Sequence, residues 1–150
     1  MITLFDQATH DQIRNRIDKL TPATQRQWGK MNVGQMLAHC SAGLEMQMGT
    51  LKLKRVFIGR IIGPLIKKVV TSNDDPFKKN SPTAPELIFI DERDFNKEKE
   101  RLMGLVDRFT QGGPAGVSPY PHPFFGKMSA NEWGIMAYKH LDHHLSQFGA

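Results

Sequence analysis

Two histidines near the C-terminus have the spacing at which a helix binds one metal ion. His140 and His144 lie four residues apart in the segment EWGIMAYKHLDHHLSQFG, so on a helix they occupy one face, one turn apart. The neighbours on this face are apolar, and two uncompensated imidazoles facing a core would be destabilising. A divalent ion bound by neutral imidazoles removes that cost. The glutamate of the zinc-protease helix motif is missing, so the pair predicts a metal site without indicating a protease.

His39 is the best candidate for the third ligand that a firm site needs. It belongs to a second predicted helix, which must pack in the same core. The other histidines are less suitable, because His10 lies in a polar segment and His122 lies between two prolines in a loop. His143 falls on a different face of the last helix, where we expect it to be solvated. An ordinary core or surface role stays open as the alternative for each histidine.

A site of three histidines would leave at least one coordination position of the ion open. Such a position admits a water to be acidified, or an oxygen or thiolate of a substrate. The ligand set suits zinc, nickel, iron or copper. We expect a divalent ion, with zinc or nickel first and iron as a further option. Nothing in the sequence singles out a catalytic residue beside the metal.

The elements that must position these histidines are helices. Apolar residues recur at helical spacing in five segments, which run over about 6–20, 32–49, 54–70, 91–110 and 129–148, with Asp94 as an alternative start of the fourth. Asn32 followed by Gln35, and Ser129 followed by Glu132, predict capping boxes at the starts of the second and last helices. Both predicted metal-binding helices therefore begin at well-marked positions.

The third segment contains Gly59, Gly63 and Pro64 and is predicted to be kinked or broken. A strand pattern is almost absent, and only 86–90, with the sequence ELIFI, is a candidate for a short extended piece. Helices joined by modest connectors predict one all-α domain over 1–150. The expected architecture is an antiparallel four-helix bundle with an additional short or kinked helix.

The formal net charge of +5 comes partly from one basic stretch. Its cations, with no acid among them, are Lys52, Lys54, Arg55, Arg60, Lys67 and Lys68. A basic helix face is more often solvated than bound to nucleic acid, and no RNP, zinc-finger or clear helix-turn-helix pattern is present. We therefore expect no nucleic-acid partner.

Membrane association is also not expected from the sequence. The longest apolar stretch, 56–66, is interrupted by Arg60 and is too short to span a bilayer. Arg60 and the pair Gly63-Pro64 interrupt its apolar face, which argues against lying on a membrane surface. The polar N-terminus lacks the apolar core of a signal peptide, and the single cysteine, Cys40, fits a reducing compartment. These features predict a cytoplasmic protein, with Cys40 as a small core residue.

Two stretches resemble the DinB-like, or YfiT-like, superfamily of bacterial metal-binding four-helix bundles. The first, WGKMNVGQMLAHC (28–40), is similar to the segment that ends in that family's first histidine ligand. The second, HPFFGKMSANEWGIMAYKHLDHHLSQFG (122–149), is similar to its C-terminal helix, with a His-x-x-x-His pair followed by glutamine. The motifs HPFFG and YKHLDHHLSQFG are most similar to those of a branch of uncharacterised proteins. The middle, 49–119, matches only in length and helical character.

This resemblance implies that the family's three ligands correspond to His39, His140 and His144, in agreement with the choice made from the pattern. It also implies that Gln147, one turn past His144, orients a ligand or a bound water. Leu145 is a departure, because many relatives have arginine directly after the last histidine.

The resemblance further implies thiol chemistry. Members of the superfamily resemble glutathione-transferase substitutes that use low-molecular-weight thiols such as bacillithiol or mycothiol, with the metal activating the thiolate that attacks an electrophile. We thus expect a metal-dependent thiol S-transferase or a hydrolase-like relative acting on a small molecule. Four aromatic residues are candidates for an apolar pocket wall, and the basic stretch for attracting an anionic cosubstrate. These aromatic residues are Trp28, Trp133, Phe124 and Phe125.

The alternative is a non-catalytic module that a metal stabilises, such as a stress-response or partner-binding protein. An open coordination position beside an accessible pocket would distinguish the enzyme from this module. A homodimer formed through an exposed helix face is compatible with either reading.

Overall fold

Helices account for all of the regular secondary structure in the computed structural model, which describes residues 1–150. The five α-helices are α1 (Gln7–Asp18), α2 (Val33–Gln47), α3 (Phe57–Val70), α4 (Phe95–Gly112) and α5 (Ala130–Gln147). Two 3₁₀ turns, Pro85–Leu87 and Gly113–Gly116, lie before and after α4. No strand is present, and the one isolated bridge joins His122 to Gly126. The prediction of an all-helical protein is confirmed.

Both predicted capping boxes are present. The Asn32 side chain accepts a hydrogen bond from the Gln35 N–H (2.9 Å), and Gln35 Oε1 accepts one from the Asn32 N–H (3.0 Å). Ser129 and Glu132 make the same reciprocal pair at the start of α5. These bonds satisfy N–H groups that have no partner inside a helix. The starts of the two histidine-bearing helices are therefore encoded locally.

The core lies where α1 and α2 each pack against both α4 and α5. It consists of apolar side chains from all four helices, which include Ile13, Ile17, Met36, Leu37, Leu44, Leu102, Val106, Leu141 and Leu145. Asp94 caps α4 through a hydrogen bond from the Lys97 N–H (2.9 Å), which selects Asp94 over Asp91 as the start. The apolar stripes seen in the sequence are the faces that meet in this core.

Helix α3 lies apart from this core and is continuous. Pro64 removes one backbone donor but does not break the helix. Gly59 and Gly63 face inward instead, where a Cβ would come within 2.5 and 2.0 Å of the carbonyl oxygen of Phe124. The glycines therefore serve close packing against the backbone of the 122–126 loop, which is a different role from the break predicted.

The segment expected to be extended, 86–90, begins instead with the 3₁₀ turn Pro85–Leu87. Proline fixes its own φ near the helical value, which favours a turn here. Leu87 is buried, and Ile88 after it is extended. None of the helices combines the length and the apolar character that crossing a bilayer requires.

Candidate metal centre

Helices α2 and α5 bring His39, His140 and His144 together. One ring nitrogen from each lies within 4.8 Å of the corresponding nitrogens of the other two. The Nε2 atoms of His39 and His140 are 2.9 Å apart, and the rings of His39 and His144 have centroids 4.6 Å apart. His140 and His144 share a face because they are one turn apart on α5, and α2 packs against that helix. The three residues chosen from the sequence therefore form one cluster.

The orientation of the His39 ring is set by a backbone carbonyl. Its Nδ1 is 2.7 Å from the carbonyl oxygen of Leu87. A carbonyl can only accept, so Nδ1 carries the proton and Nε2 presents a lone pair toward His140. Leu87 lies in the 3₁₀ turn that precedes α4. No sequence signal marks this partner, because any residue supplies a carbonyl.

The orientation of His144 is set by a chain of two hydrogen bonds. Gln147 Nε2 donates to the carbonyl oxygen of Trp28 (2.8 Å). That bond leaves Gln147 Oε1 to accept from His144 Nδ1, at 2.8 Å. The proton of His144 is thus on Nδ1, and its Nε2 is free to bind a metal. Gln147 is buried and contacts His144, one turn before it on α5.

His140 lacks such a partner. Its Nδ1 is buried without a hydrogen bond. The ring lies against α2 at Gly43, where an added Cβ would come within 2.7 Å of the ring carbon Cε1 and 3.1 Å of Nδ1. Gly43 therefore provides the space that the ring occupies, and the spacing of the histidines gave no sign of this requirement.

Burial keeps the cluster uncharged. His39 is 3% exposed and His144 is 8% exposed. Burial lowers the pKa of His144 to about 3, with the charge of His39 adding to the effect. It also lowers the pKa of His39, against the opposing hydrogen bond to Leu87, and holds the pKa of His140 well below its usual range. Neutral imidazoles are the form that binds metal.

The geometry fits a divalent ion. Imidazole nitrogens bound at 2.0–2.1 Å to a tetrahedral ion lie about 3.3 Å from one another. The observed 2.9 Å separation between His39 and His140 and the 4.8 Å limit for the group bracket that distance. The three histidines can therefore hold a metal ion, and their chemistry leaves its identity open.

Two further histidines lie near the cluster. His143, expected to be solvated, is half-buried beside Trp28 (5.8 Å between ring centroids) and Phe77 (6.0 Å). His143 does not belong to the cluster formed by His140 and His144, but the segments that contain Trp28 and Phe77 cover it. His122 Nδ1 accepts hydrogen bonds from the N–H groups of Phe124 and Phe125, at 3.1 and 3.2 Å. Burial lowers the pKa of His122 to about 4.

Of the four aromatic residues predicted to line one pocket, Trp133, Phe124 and Phe125 lie together around His122, and Trp28 lies apart from them. Trp28 packs against His143, and the Lys79 ammonium lies 4.2 Å above its ring. Trp133 is buried with its ring 5.6 Å from that of His122. The neighbours of both tryptophans come from segments that are distant in the sequence.

Cys40 is adjacent to His39 in the chain but points into the core. It is fully buried, with its Sγ 3.6 Å from the sulfur of Met36. Burial raises the pKa of this thiol, which makes it unreactive. The prediction of a core role for Cys40 is confirmed.

Comparison with known proteins identifies a family and no characterised relative. A family model described as "Protein of unknown function (DUF1569)" matches residues 5–150. No curated protein and no solved structure matches the chain. The assignment to the DinB-like, or YfiT-like, superfamily is thereby corrected, because no model of that superfamily matches. The similar stretches covered only the two ends of the chain, and a three-histidine pattern is too local to define a family.

Proposed function

Since the chain belongs to DUF1569, a family of unknown function, we propose from the site alone that it is a metal-dependent enzyme. In this proposal His39, His140 and His144 hold one divalent ion, with zinc or nickel preferred and iron a further candidate. When bound, the ion supplies Lewis acidity that lowers the pKa of a thiol or a water, which then attacks a small electrophile. The reaction is a thiol S-transfer or a hydrolysis.

One observation carries the proposal: the Nε2 atoms of His39 and His144 face the same point while their Nδ1 protons are engaged elsewhere. The two Nδ1–H groups donate hydrogen bonds to the Leu87 carbonyl and to Gln147 Oε1. Neither ring can therefore turn without losing a buried hydrogen bond. His140 completes the set from the same face of α5. Two buried hydrogen bonds thus keep the Nε2 lone pairs of His39 and His144 aimed into one space. Hydrogen bonds of this kind orient the histidine ligands in metal sites.

The arrangement of the helices is part of the proposal. We take α1, α2, α4 and α5 as an antiparallel four-helix bundle, which the packing of α1 and α2 against both α4 and α5 supports. In such a bundle the ligands project inward from facing helices. His39 and His144 are then shielded from bulk water, which strengthens electrostatic effects at the site.

The metal-binding step is tested by measuring bound metal per chain. We expect about one equivalent in the wild type by elemental mass spectrometry, and loss of that equivalent in His39→Ala and in the double variant His140→Ala/His144→Ala. His143→Ala is the matched control, because its ring is only 5.0 Å from that of His144 but is not in the cluster. A wild-type protein that stays metal-free after loading with zinc or nickel would contradict the proposal.

A non-catalytic module that the metal stabilises is the second candidate. The near-complete burial of His39 and His144 favours it, since closed metal sites are typically structural. The two candidates differ in turnover. The metal-loaded protein is assayed with a panel of thiols and electrophiles and with ester substrates. Metal-dependent turnover that His140→Ala abolishes supports the enzyme, whereas full metal occupancy with no turnover across the panel supports the module.

A further inference from the structure

A cleft of about 610 Å³ lies between the segment that follows α2 and the proline-rich loop that precedes α5. Lys52, Lys54, Arg55 and Arg60 line it, and no acidic residue does. A concave site with several cations and no carboxylate concentrates positive potential inside it. Such a site favours an anionic ligand.

The cations of the cleft have no carboxylate partners in the protein. None of the four forms an ion pair with a carboxylate, unlike Arg93 and Arg101 elsewhere in the chain. The Nε of Arg55 is buried without a hydrogen bond, and the Lys52 ammonium is held 4.2 Å from the ring centre of Tyr120. A buried guanidinium donor without an acceptor is costly. An anion in the cleft would balance the charge of this guanidinium, which has no carboxylate partner.

The cleft lies close to the histidine cluster along α2 and α5. Met46, which lines the cleft, follows His39 by seven residues, or about 10 Å on the same face of α2. On the other side, Pro121 and Pro123 of the lining flank His122, whose ring packs against Trp133 of α5. Trp133 precedes His140 by seven residues, which is again about two turns. The cleft and the cluster therefore border the same two helices, about two turns apart along each.

We propose that the cleft binds the anionic end of the substrate, a carboxylate or phosphate, while the reacting end reaches the histidine cluster. This inference rests on the proposed metal-dependent function and names its substrate class. The substrate is a small organic anion whose charged group lies about 10 Å from the reacting atom, the distance of two helical turns. The apolar side chains of Met46, Leu51 and Leu53 in the lining would cover its middle.

The test measures binding of phenyl phosphate, benzoate and uncharged benzyl alcohol to the metal-loaded protein by calorimetry at low salt. We expect both anions to bind, benzyl alcohol not to bind, and Arg55→Gln to weaken anion binding about tenfold through loss of a charge-assisted hydrogen bond. Arg108→Gln is the matched control, because Arg108 is an exposed arginine on α4. The relative affinities of phenyl phosphate and benzoate show which anion the cleft prefers.

Arg60→Gln provides a second variant, since Arg60 is exposed and its replacement does not disturb packing. Unchanged anion binding in both Arg55→Gln and Arg60→Gln would overturn the inference, as would failure of both anions to bind the wild type. Metal content is measured on the same samples. A full equivalent of metal with no anion binding removes the cleft assignment alone, whereas absence of metal removes the proposed function on which it rests.

The outer face of α3 carries a second inference, which starts from its exposed apolar side chains rather than from the cleft. Phe57, Ile61 and Leu65 are 76%, 65% and 69% exposed. Ile58, Ile62 and Val69 are also exposed on this helix. Single exposed apolar residues are normal, but a contiguous face on one helix marks an interaction surface. Gly59 and Gly63 turn inward, so of the interruptions noted in the sequence only Arg60 and Pro64 remain on the exposed side of this helix.

The charge around α3 identifies the partner. Residues 46–73 contain six lysines and arginines and no aspartate or glutamate, and of these cations only Lys67 pairs with a carboxylate, that of Glu132. A second copy of the chain would bring the same cations to the interface, where they would repel. Anionic lipid headgroups are complementary to the charge, and acyl chains to the apolar face. We infer that α3 docks on an anionic membrane surface.

Co-sedimentation with vesicles tests this surface. The wild type is expected to bind phosphatidylglycerol-containing vesicles at low salt and not pure phosphatidylcholine vesicles. The variant Ile61→Asn/Leu65→Asn should lose at least about tenfold in binding, since each side chain contributes buried apolar area. Ile90→Asn is the matched control, because Ile90 is 88% exposed but lies outside α3.

Two outcomes would overturn the membrane assignment. The first is absence of binding to the anionic vesicles. The second is a dimer in light scattering that Ile61→Asn/Leu65→Asn converts to a monomer, which would show that a second copy covers the face.

Discussion

The ring nitrogens that face away from the histidine cluster determine which nitrogens face into it. His39 and His144 each commit Nδ1 to an oxygen of the protein, that of Leu87 in one case and of Gln147 in the other. His140 has no such bond and is positioned instead by contact with Gly43. The geometry of the site therefore depends on residues that would never touch the metal.

Replacing Gln147 tests the hydrogen-bonded support of His144. Gln147→Leu removes the acceptor for His144 Nδ1 and the donor to the Trp28 carbonyl, so we expect a 10–100-fold weaker affinity for zinc, as is usual for such outer partners. Gln147→Glu keeps an acceptor for His144 but loses the donor to the Trp28 carbonyl, so its affinity should fall between those of the leucine variant and the wild type. A competition titration with a chromophoric chelator measures both. Equal affinities for the leucine variant and the wild type would contradict this role.

Replacing Gly43 tests the steric support of His140. An added Cβ would approach the His140 ring to 2.7 Å, so Gly43→Ala should lower the free energy of unfolding by about 1–3 kcal/mol and weaken metal binding. Gly104→Ala is the matched control on α4, where a Cβ would meet nothing within 4 Å. That variant should be neutral or stabilised by up to about 1 kcal/mol through helix propensity. Urea denaturation distinguishes them, and equal stabilities would refute the steric account.

The helices differ in how their positions are encoded. Helices α2 and α5 begin at capping boxes, so their ends are set by side chains a few residues apart. Helix α3 has no side-chain cap, and its place depends on contact between its two inward glycines and a distant loop. Local signals thus fix the helices that carry the histidines, while long-range packing places the helix that carries the apolar surface.

The α2 cap makes a measurable contribution to stability. Asn32→Ala removes the acceptor of the Gln35 N–H and should cost about 1 kcal/mol. Asn96→Ala in the exposed first turn of α4, where the asparagine is not the capping residue, should change stability by less than about 0.5 kcal/mol. Thermal and urea unfolding of both variants provides the comparison. A cap variant as stable as the control would show that packing alone holds the start of α2.

A metal at the histidine cluster would join helices that the chain connects only at long range. His39 and His140 are separated by 101 residues, and the ion would bind the native arrangement but not the unfolded chain. The stability of the whole molecule is then linked to the metal concentration. The same linkage holds for the enzyme and for the non-catalytic module.

Removing the metal should therefore lower the melting temperature. At a free zinc concentration about 100 times the dissociation constant the expected stabilisation is about 2.7 kcal/mol, which for a domain of this size corresponds to roughly 5–10 °C. Calorimetry before and after chelation measures the shift. His140→Ala/His144→Ala should show no metal-dependent shift, and a shift of wild-type size in that variant would place the metal elsewhere.

Much of the fold was predictable because its signals are local. Apolar periodicity located five helices, and side-chain caps located the starts of α2 and α5, while the start of α4 was left open between Asp91 and Asp94. The prediction that α3 is broken was wrong. It took the glycines as a sign of a bend, whereas a glycine can serve close packing just as well. Spacing alone cannot distinguish the two, since the contact that decides it comes from Phe124, about sixty residues away.

The sequence by itself determined that His140 and His144 share a helix face and that His39 lies on a partner helix, because helical periodicity is a property of neighbouring residues. Only the tertiary structure decided which nitrogen of each ring faces the cluster, since the Leu87 and Trp28 carbonyls that set the tautomers carry no sequence signal. It also brought the basic stretch to the same cleft as the loop around His122, and left the apolar face of α3 uncovered. These features depend on which distant segments meet, and that is settled by packing the whole chain.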